Sequence, residues 1–337
     1  MYHFAGRVER VSDRLSCRAL RPSRNPESLH TDARNGLLQR PRSLPPKYFY
    51  DARGSGLFDR ICDTPEYYLT RTENALLTGS ARDIIRKTRP RYIVELGSGT
   101  ARKTRHLLNA CHSERCYSGY VPFDVCREVV VEAGERLVAA YPWLHVTGLI
   151  GDYQADLAWL PEMRGPRLFV FLGSTIGNLR EEQALAFLSA LRAVMGSGDG
   201  LLLGADRVKD PLVLHRAYND KAGLTAEFNR NLLRVLNREL AGNFDLKGFH
   251  HHACYNPRDQ QVEMYLVAKT PQRVTLSGLG CTLELDEGEA IHTEISRKFT
   301  LGGLDRLLAD GGFRIDEHCQ SEDGYFSLVL ARPCLTA

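Results

Sequence analysis

Several features that define special classes of protein are missing from these 337 residues. No apolar run approaches the ~18 residues that a membrane-spanning helix needs. There is no internal repeat, and charge of neither sign is in excess: 44 Lys and Arg against 41 Asp and Glu give a net charge of +3. That charge is too weak for a dedicated nucleic-acid binder. We therefore expect a globular monomer whose partner is a small molecule, with neither nucleic acid nor membrane as a partner.

Cysteine is present, but not in the pattern of a disulfide scaffold or a zinc site. Nine cysteines, an odd number, are scattered along the chain with no evident signal peptide, which predicts reduced thiols and a cytoplasmic location. Cys111 and Cys116 have a C-x4-C spacing, but no second pair follows at zinc-ligand distance. The histidines at 250–252 cannot all face one metal from a strand or helix, so a loop or surface role is favoured. No metal is expected.

Arginine is concentrated at the start of the chain, where six of the first 24 residues are Arg and only Glu9 and Asp13 oppose them. A transit segment has such a bias. However, acidic residues interrupt the run and no small-residue cleavage site is evident. The favoured interpretation is a flexible, solvated arm over residues 1–17.

From about residue 90, short apolar runs alternate with helical patterns. This alternation predicts a parallel, doubly wound α/β sheet. Ligands of such sheets bind beyond the carboxyl ends of the strands, so the loops that follow the strands are expected to converge on one crevice. The predicted strands are 91–96, 119–124, 145–152, 167–172 and 200–204, and the clearest predicted helices are 127–140 and 181–195.

Two segments do not follow the alternation. Residues 25–70 are rich in turn signals, and residues 210–298 begin with a long helical pattern over 212–240. We expect these segments to form a second, discontinuous lobe. A helix over 301–310 and a strand over 325–330 are expected to complete the first sheet at its edge. The predicted domains are 72–206 with 299–337, and 18–71 with 207–298.

The loop after the first strand of the sheet is the strongest local signal. Residues 95–100 (ELGSGT) place glycines between a strand and a helix, where the backbone can approach a ligand closely. A dinucleotide fingerprint would need a third glycine at 102, where this chain has Arg102. The loop instead resembles that of S-adenosylmethionine (SAM)-dependent methyltransferases.

Two acidic residues follow the next two predicted strands. Asp124 is positioned to accept both hydroxyls of a ribose, and Asp152 to accept a bond from an adenine amino group. Each alone is equally well interpreted as a turn aspartate. Together with the glycine loop, they favour a nucleoside-bearing ligand at one edge of the sheet.

Longer motifs then make the resemblance specific. From about residue 36 onward, the chain resembles the histidine-specific N-alpha-methyltransferases of ergothioneine biosynthesis. The motifs concerned are PKYFYDARGSGLF at 46–58, PEYYLTRTE at 65–73, VELGSGT at 94–100, FLGSTIGNL at 171–179, GADRVKD at 204–210, AEFNRN at 226–231 and TEISRKF at 293–299.

This resemblance implies a Rossmann-like SAM-binding domain, a discontinuous substrate domain, SAM as co-substrate and L-histidine as substrate. It also implies roles for individual residues. Those expected at SAM are Gly97, Lys103, Asp124, Asp152 and Tyr153. Those expected at histidine are Tyr50, Phe58, Tyr67, Gly173, Thr175, Asn178, Tyr218, Met264, Glu294 and Ser296, with Asn178 and Tyr50 acting in catalysis as hydrogen-bonding partners of the amine.

Elementary chemistry is consistent with these roles. Glu294 and Ser296 are two apart on a predicted strand, so they share a face and can bond an imidazole together. Aromatic walls suit a product that carries a quaternary ammonium group.

Structural interpretations also exist for these residues. Asn178 with Glu181 resembles a helix capping box, residues 293–298 could form an exposed edge strand, and Tyr67 or Phe58 could be ordinary core residues. The functional alternatives are a related methyltransferase for another amino acid, a non-catalytic SAM or histidine sensor and, more remotely, a dehydrogenase.

Overall fold

A computed structural model describes residues 8–20 and 26–334. The chain divides into two compact units. Unit 1 comprises Met1–Ser23, Leu69–Val208 and Lys298–Ala337, and unit 2 comprises Arg24–Tyr68 and Lys209–Arg297.

Strands and helices alternate through the middle of the chain, and strands predominate after residue 248. The strands are β1 (Val8–Ser12), β2 (Leu15–Ala19), β3 (Arg42–Ser43), β4 (Tyr92–Leu96), β5 (Gly119–Asp124), β6 (Val146–Ile150), β7 (Arg167–Phe171), β8 (Gly200–Asp206), β9 (Phe249–Asn256), β10 (Gln261–Ala268), β11 (Gln272–Leu276), β12 (Cys281–Leu285), β13 (Ala290–Arg297), β14 (Phe313–Gln320) and β15 (Phe326–Pro333). The helices are α1 (Pro26–Leu37), α2 (Ala52–Cys62), α3 (Tyr68–Thr88), α4 (Thr104–Ser113), α5 (Arg127–Ala140), α6 (Tyr153–Asp156), α7 (Glu181–Val194), α8 (Pro211–Tyr218), α9 (Leu224–Glu239) and α10 (Leu301–Asp310).

Unit 1 is built on a sheet with the strand order β1-β2-β6-β5-β4-β7-β8-β15-β14. The strands from β2 to β8 pair in parallel, and antiparallel strands flank them on both sides. Every residue of β8 is buried, as expected for a strand covered on both faces. The chain reverses direction across the sheet beside β4, because β5 and β6 lie on one side and β7 and β8 on the other. This is the topological switch point at which such sheets bind ligands.

The predicted flexible arm is wrong for residues 8–17. β1 and β2 form a hairpin, and β2 pairs in parallel with β6, burying Leu15 and Cys17 in unit 1. The Arg14 guanidinium donates to the carbonyls of Tyr141 and Pro142, both at 2.9 Å. The high arginine content of this segment therefore masked the β1–β2 strand pair in the sequence pattern. Residues 1–7 of the expected arm lie outside the described residues.

Unit 2 contains a sheet of order β3-β13-β10-β9 and a separate β11-β12 pair. On β10, buried residues alternate with half-buried ones, and helices α8 and α9 pack on this sheet. β13 lies between β3 and β10, so it is not an edge strand. The expectation of a turn-rich segment over 25–70 is also wrong, because α1, α2 and the start of α3 lie there.

The single long helix expected over 212–240 is two helices. α8 ends at Tyr218, and α9 begins at Leu224 after Gly223, whose φ of +70° belongs to the left-handed region. Asp220 accepts the backbone N–H groups of Leu224 and Thr225 at 2.8 and 2.7 Å. This carboxylate satisfies two donors at the start of α9 that have no partner within the helix, so it separates the two helices.

Membrane-spanning helices, metal-ligand clusters and disulfides are absent from the described residues. No helix among residues 8–20 and 26–334 is long and apolar enough to cross a membrane. Within the same ranges, no group of three or more His, Cys, Asp and Glu side chains is arranged to hold a metal ion. The nine cysteines, all within the described part of the chain, are free thiols.

Candidate active site

In unit 1, the glycine loop (residues 97–103) follows β4 at the switch point. Gly97 has a φ of +70°, and its N–H donates to the Phe123 carbonyl at 2.8 Å. A Cβ at Gly97 would lie 3.4 Å from the Tyr153 ring. The next glycine, Gly99, donates its N–H to Asp124 Oδ2 at 2.9 Å. The loop is therefore tied to the end of β5 through both glycines.

The acidic residues at the strand ends are organised by the backbone around them. Asp124 is buried, and its Oδ1 accepts the Cys126 N–H at 3.1 Å. Asp152 precedes α6, and its Oδ1 accepts the Gln154 N–H at 3.0 Å. Each aspartate thus has the turn function that the structural interpretation proposed. These bonds also fix each carboxylate at the ligand edge of the sheet.

Tyr153 packs edge-on against three phenylalanine rings, which belong to β5, β7 and α7. Its centroid lies 6.3 Å from that of Phe123, 5.6 Å from Phe171 and 6.0 Å from Phe187. Burial raises the pKa of its hydroxyl, and Asp124 acts in the same direction. The Tyr153 ring is therefore a neutral aromatic surface beside Gly97.

A buried carboxylate joins the glycine loop to the loop after β7. Glu73, on α3, is fully buried, forms an ion pair with Lys103 and accepts the Gly173 N–H at 2.9 Å. A Cβ at Gly204 would come within 1.9 Å of Glu73 Oε1, so this position has room only for glycine. Sequence reasoning did not single out Glu73, although it ends the PEYYLTRTE motif.

The loop after β7 holds three residues that were expected at the substrate. Gly173 and Ser174 have φ values of +77° and +57°, and Thr175 Oγ1 donates to the Leu172 carbonyl at 2.8 Å. Asn178 is half-buried at the end of the following short turn. It does not cap α7, since α7 begins after Arg180, whose N–H donates to Gln183 Oε1 at 3.0 Å.

The chemistry of these residues fits SAM. The carboxylates of Asp124 and Asp152 suit the ribose hydroxyls and the adenine amino group of SAM. The Lys103 ammonium suits the carboxylate of SAM. Ser98 Oγ, buried in the glycine loop, has no hydrogen-bond partner among the described residues. A buried hydroxyl without a partner is unfavourable, and a ligand group at the loop would satisfy it.

In unit 2, the remaining substrate candidates lie together. We call them the unit 2 cluster: Tyr50, Phe58, Tyr67, Tyr218, Met264, Glu294 and Ser296. Met264 on β10 is the register partner of Glu294 on β13, so the two share a face of the sheet. Ser296 lies two residues further along β13, and the Tyr218 hydroxyl donates to its Oγ at 2.7 Å.

Aromatic rings form the other side of the unit 2 cluster. Tyr67 contacts Phe58 and Tyr218, with centroids 6.0 and 6.3 Å apart, and Phe58 lies 5.8 Å from Tyr50. Burial raises the pKa of Tyr67 well above its usual range, and Tyr218 and Glu294 are among the groups that add to this shift. The Tyr67 hydroxyl therefore stays protonated beside the Glu294 carboxylate.

Phe228 on α9 also belongs with these rings but was not singled out from the sequence. Its centroid lies 4.6 Å from Phe49, 5.5 Å from Tyr50 and 5.9 Å from Phe58. Its presence in the AEFNRN motif was the available signal. The structure thus brings together seven of the expected substrate residues in unit 2, and places Gly173, Thr175 and Asn178 with the expected SAM residues in unit 1.

Comparisons with known proteins give the family. Residues 29–333 match the family model described as histidine-specific methyltransferase, SAM-dependent. The chain is 45% identical to a histidine N-alpha-methyltransferase of Mycolicibacterium smegmatis over 90% of this chain and 95% of that one. It is 43% identical to the protein of that name from Mycobacterium tuberculosis, with coverages of 90% and 94%.

The solved structures that match this chain are more distant. A SAM-dependent methyltransferase from Clostridium acetobutylicum has a TM-score of 0.46 and 12% identity, covering 82% of this chain and 97% of that one. The family match over nearly the whole chain and the two close relatives lead to one conclusion: this chain belongs to the family of SAM-dependent, histidine-specific methyltransferases.

Proposed function

We propose that the protein transfers a methyl group from SAM to the alpha-amine of L-histidine and repeats the transfer until the nitrogen is trimethylated, as a step of ergothioneine biosynthesis. Relatives whose names state histidine N-alpha-methylation match 90% of the chain. A Neurospora crassa ergothioneine biosynthesis protein is 34% identical over 70% of this chain and 29% of its own length.

The observation that best supports histidine as substrate is the buried pair of Glu294 and Ser296 on one face of β13. A neutral imidazole has one N–H donor and one acceptor nitrogen. The Glu294 carboxylate suits the imidazole N–H donor. Ser296 Oγ already accepts a hydrogen bond from Tyr218, so its hydroxyl suits the acceptor nitrogen. An apolar side chain would leave this carboxylate unsatisfied, at a cost of roughly 1–3 kcal/mol or more.

In unit 1, the methyl donor SAM is proposed to bind at the carboxyl ends of the strands. Asp124 would hold the ribose hydroxyls, Asp152 the adenine amino group and Lys103 the carboxylate of SAM, with Gly97 and Tyr153 in contact with it. When bound, SAM supplies a methyl group that its sulfonium has already activated. Glu73 holds the Lys103 ammonium in place through their ion pair.

The remaining residues align the amine and exclude water. Asn178 and Tyr50 are proposed to hydrogen-bond the amine so that its lone pair faces the methyl carbon. Gly173 and Thr175 line the same part of the site, and the Tyr218 hydroxyl keeps its bond to Ser296. The new C–N bond forms as the C–S bond breaks, and the amine proton passes to solvent. The rings of Tyr50 and Phe58 favour the resulting cation.

We further propose that the protein is a monomer, is located in the cytoplasm and needs no metal. Nine free cysteines support a reducing compartment. The test of the proposed function is incubation with methyl-labelled SAM and a panel of amino acids. Label on histidine alone supports it. Label on tyrosine, tryptophan or a histidine derivative, with histidine unlabelled, would refute it.

A further inference from the structure

His251 lies on β9 between two exposed histidines, His250 and His252. The expectation of a loop or surface role for all three is wrong, since strand alternation turns His251 alone to the face that carries Met264 and Ala253. His251 is half-buried there. Its ring has two specific partners from two helices.

The hydrogen bonds of the ring fix its tautomer. Nε2 lies 2.9 Å from the backbone carbonyl oxygen of Tyr218, which can only accept, so Nε2 must carry the proton. Nδ1 lies 2.9 Å from Asn229 Nδ2 and accepts from it. The second proton of the same amide goes to the Tyr265 carbonyl at 3.0 Å. Both amide protons are thus used, and the polarity of the network is determined.

The neutral ring that this network requires is consistent with its surroundings. Asn229 is fully buried and belongs to α9. Burial lowers the pKa of His251, which favours the neutral form. A second ring proton would oppose the Asn229 amide protons. His251 therefore acts as a rigid link between α9 and the last residue of α8.

That last residue is Tyr218, and its hydroxyl donates to Ser296 Oγ at 2.7 Å. His251 thus holds the backbone carbonyl of Tyr218, while the side-chain hydroxyl of Tyr218 reaches Ser296 in the unit 2 cluster. We propose that His251, in its Nε2–H form, is a positioning residue for histidine binding that acts by fixing Tyr218 against Ser296. This inference rests on the proposed function.

The test compares three substitutions. His251→Gln can still donate to the Tyr218 carbonyl, because its amide nitrogen takes the place of Nε2. His251→Asn reaches Asn229 but not that carbonyl, and His251→Phe keeps a ring without nitrogen atoms. His250→Phe is the matched control on the exposed face. For each variant, KM for L-histidine, kcat and the Kd for SAM are measured.

We expect His251→Phe and His251→Asn to raise KM for histidine about tenfold, the size of one lost buried hydrogen bond. kcat should fall by less, and the Kd for SAM should not change. His251→Gln should stay within about threefold of the parent, since it retains the bond to Tyr218. If His251→Phe does not fold, the contrast between Gln and Asn decides.

The inference would be overturned if His251→Gln and His251→Asn had equal effects, or if KM for histidine were unchanged in both. It would also be overturned if the Kd for SAM rose as much as KM. The unsubstituted protein separates this result from a failure of the proposed function. If that protein methylates histidine, only the role of His251 is in question. If it does not, the proposed substrate is wrong regardless of the variants.

Discussion

The carboxylate of Glu73 accepts the backbone N–H of Gly173 at 2.9 Å while it forms an ion pair with Lys103. Gly173 follows β7 and Lys103 precedes α4, so one buried side chain of α3 fixes two loops at the switch point of the unit 1 sheet. The Glu73 carboxylate is fully buried and Lys103 is half-buried, so removing either partner leaves the charge of the other poorly compensated.

The first prediction follows from this pair. Glu73→Gln retains an acceptor for Gly173 but leaves the Lys103 charge without its partner. We expect a loss of about 3 kcal/mol in the free energy of unfolding and about tenfold weaker SAM binding. Urea unfolding and calorimetry measure the two effects. Glu162→Gln, at the exposed Arg164 pair, is the control and should change neither. Unaltered SAM affinity in folded Glu73→Gln would contradict the role of Lys103.

The second prediction concerns substrate selection. Glu294→Ala removes the buried carboxylate proposed to accept the imidazole N–H, so kcat/KM for histidine should fall by roughly a hundredfold or more. The Kd for SAM should stay unchanged, because the residues proposed to bind it belong to unit 1. Steady-state kinetics and calorimetry provide both values, with exposed Glu284→Ala as control. A parallel loss of SAM binding would indicate misfolding instead of a lost substrate contact.

The third prediction is a pH dependence of stability. Burial raises the pKa of Glu95 to about 7, although the hydroxyls of Thr104 and Tyr120 donate to it and oppose the shift. Because its pKa is raised on folding, the folded protein binds more protons than the unfolded chain between pH 4.5 and about 7. The stability contributed by this group is therefore present below that window and is lost as the pH rises through it.

Glu95→Gln removes this titration. Because the pKa of Glu95 is raised from 4.5 to about 7, the variant should become more stable relative to the parent from pH 5 to pH 8, by about 2.5 kcal/mol of unfolding free energy. Urea unfolding across this pH range measures the difference. A constant difference between the two proteins would show that the pKa of Glu95 is not raised.

The fourth prediction concerns a second buried ion pair. Lys298 follows β13 and lies 2.9 Å from Asp206 at the end of β8, and both side chains are fully buried. Lys298→Met leaves the aspartate charge uncompensated and should cost about 3–5 kcal/mol of unfolding free energy. Asp13→Asn, at an exposed pair with Arg10, should leave stability unchanged. Equal unfolding midpoints for Lys298→Met and the parent would refute this.

Much of unit 1 could be predicted because its patterns are regular. The strand at 119–124 and the helices at 127–140 and 301–310 have the bounds expected from apolar periodicity. The same reasoning failed where local chemistry overrode a pattern. Asp220 and Gly223 divide a continuous helical periodicity. A strand pair near residue 15 is obscured by its arginines, of which Arg14 donates to backbone carbonyls.

The site could be predicted where motifs name residues, but not where contacts cross the sequence. Glycine spacing located the loop after β4, and the two-residue spacing of Glu294 and Ser296 placed both on one face. Glu73 and Asn229 act on partners 100 and 22 residues away in the sequence, and no local pattern reports such contacts. His251 was misassigned because a run of three histidines resembles a surface feature until strand alternation separates them.

The most direct test of the central claim is tandem mass spectrometry of L-histidine incubated with the protein and SAM. The account predicts mono-, di- and finally trimethylated histidine, with every added methyl group in fragments that contain the alpha-nitrogen. Methyl groups on the imidazole ring, or unmodified histidine while another amino acid is methylated, would contradict it.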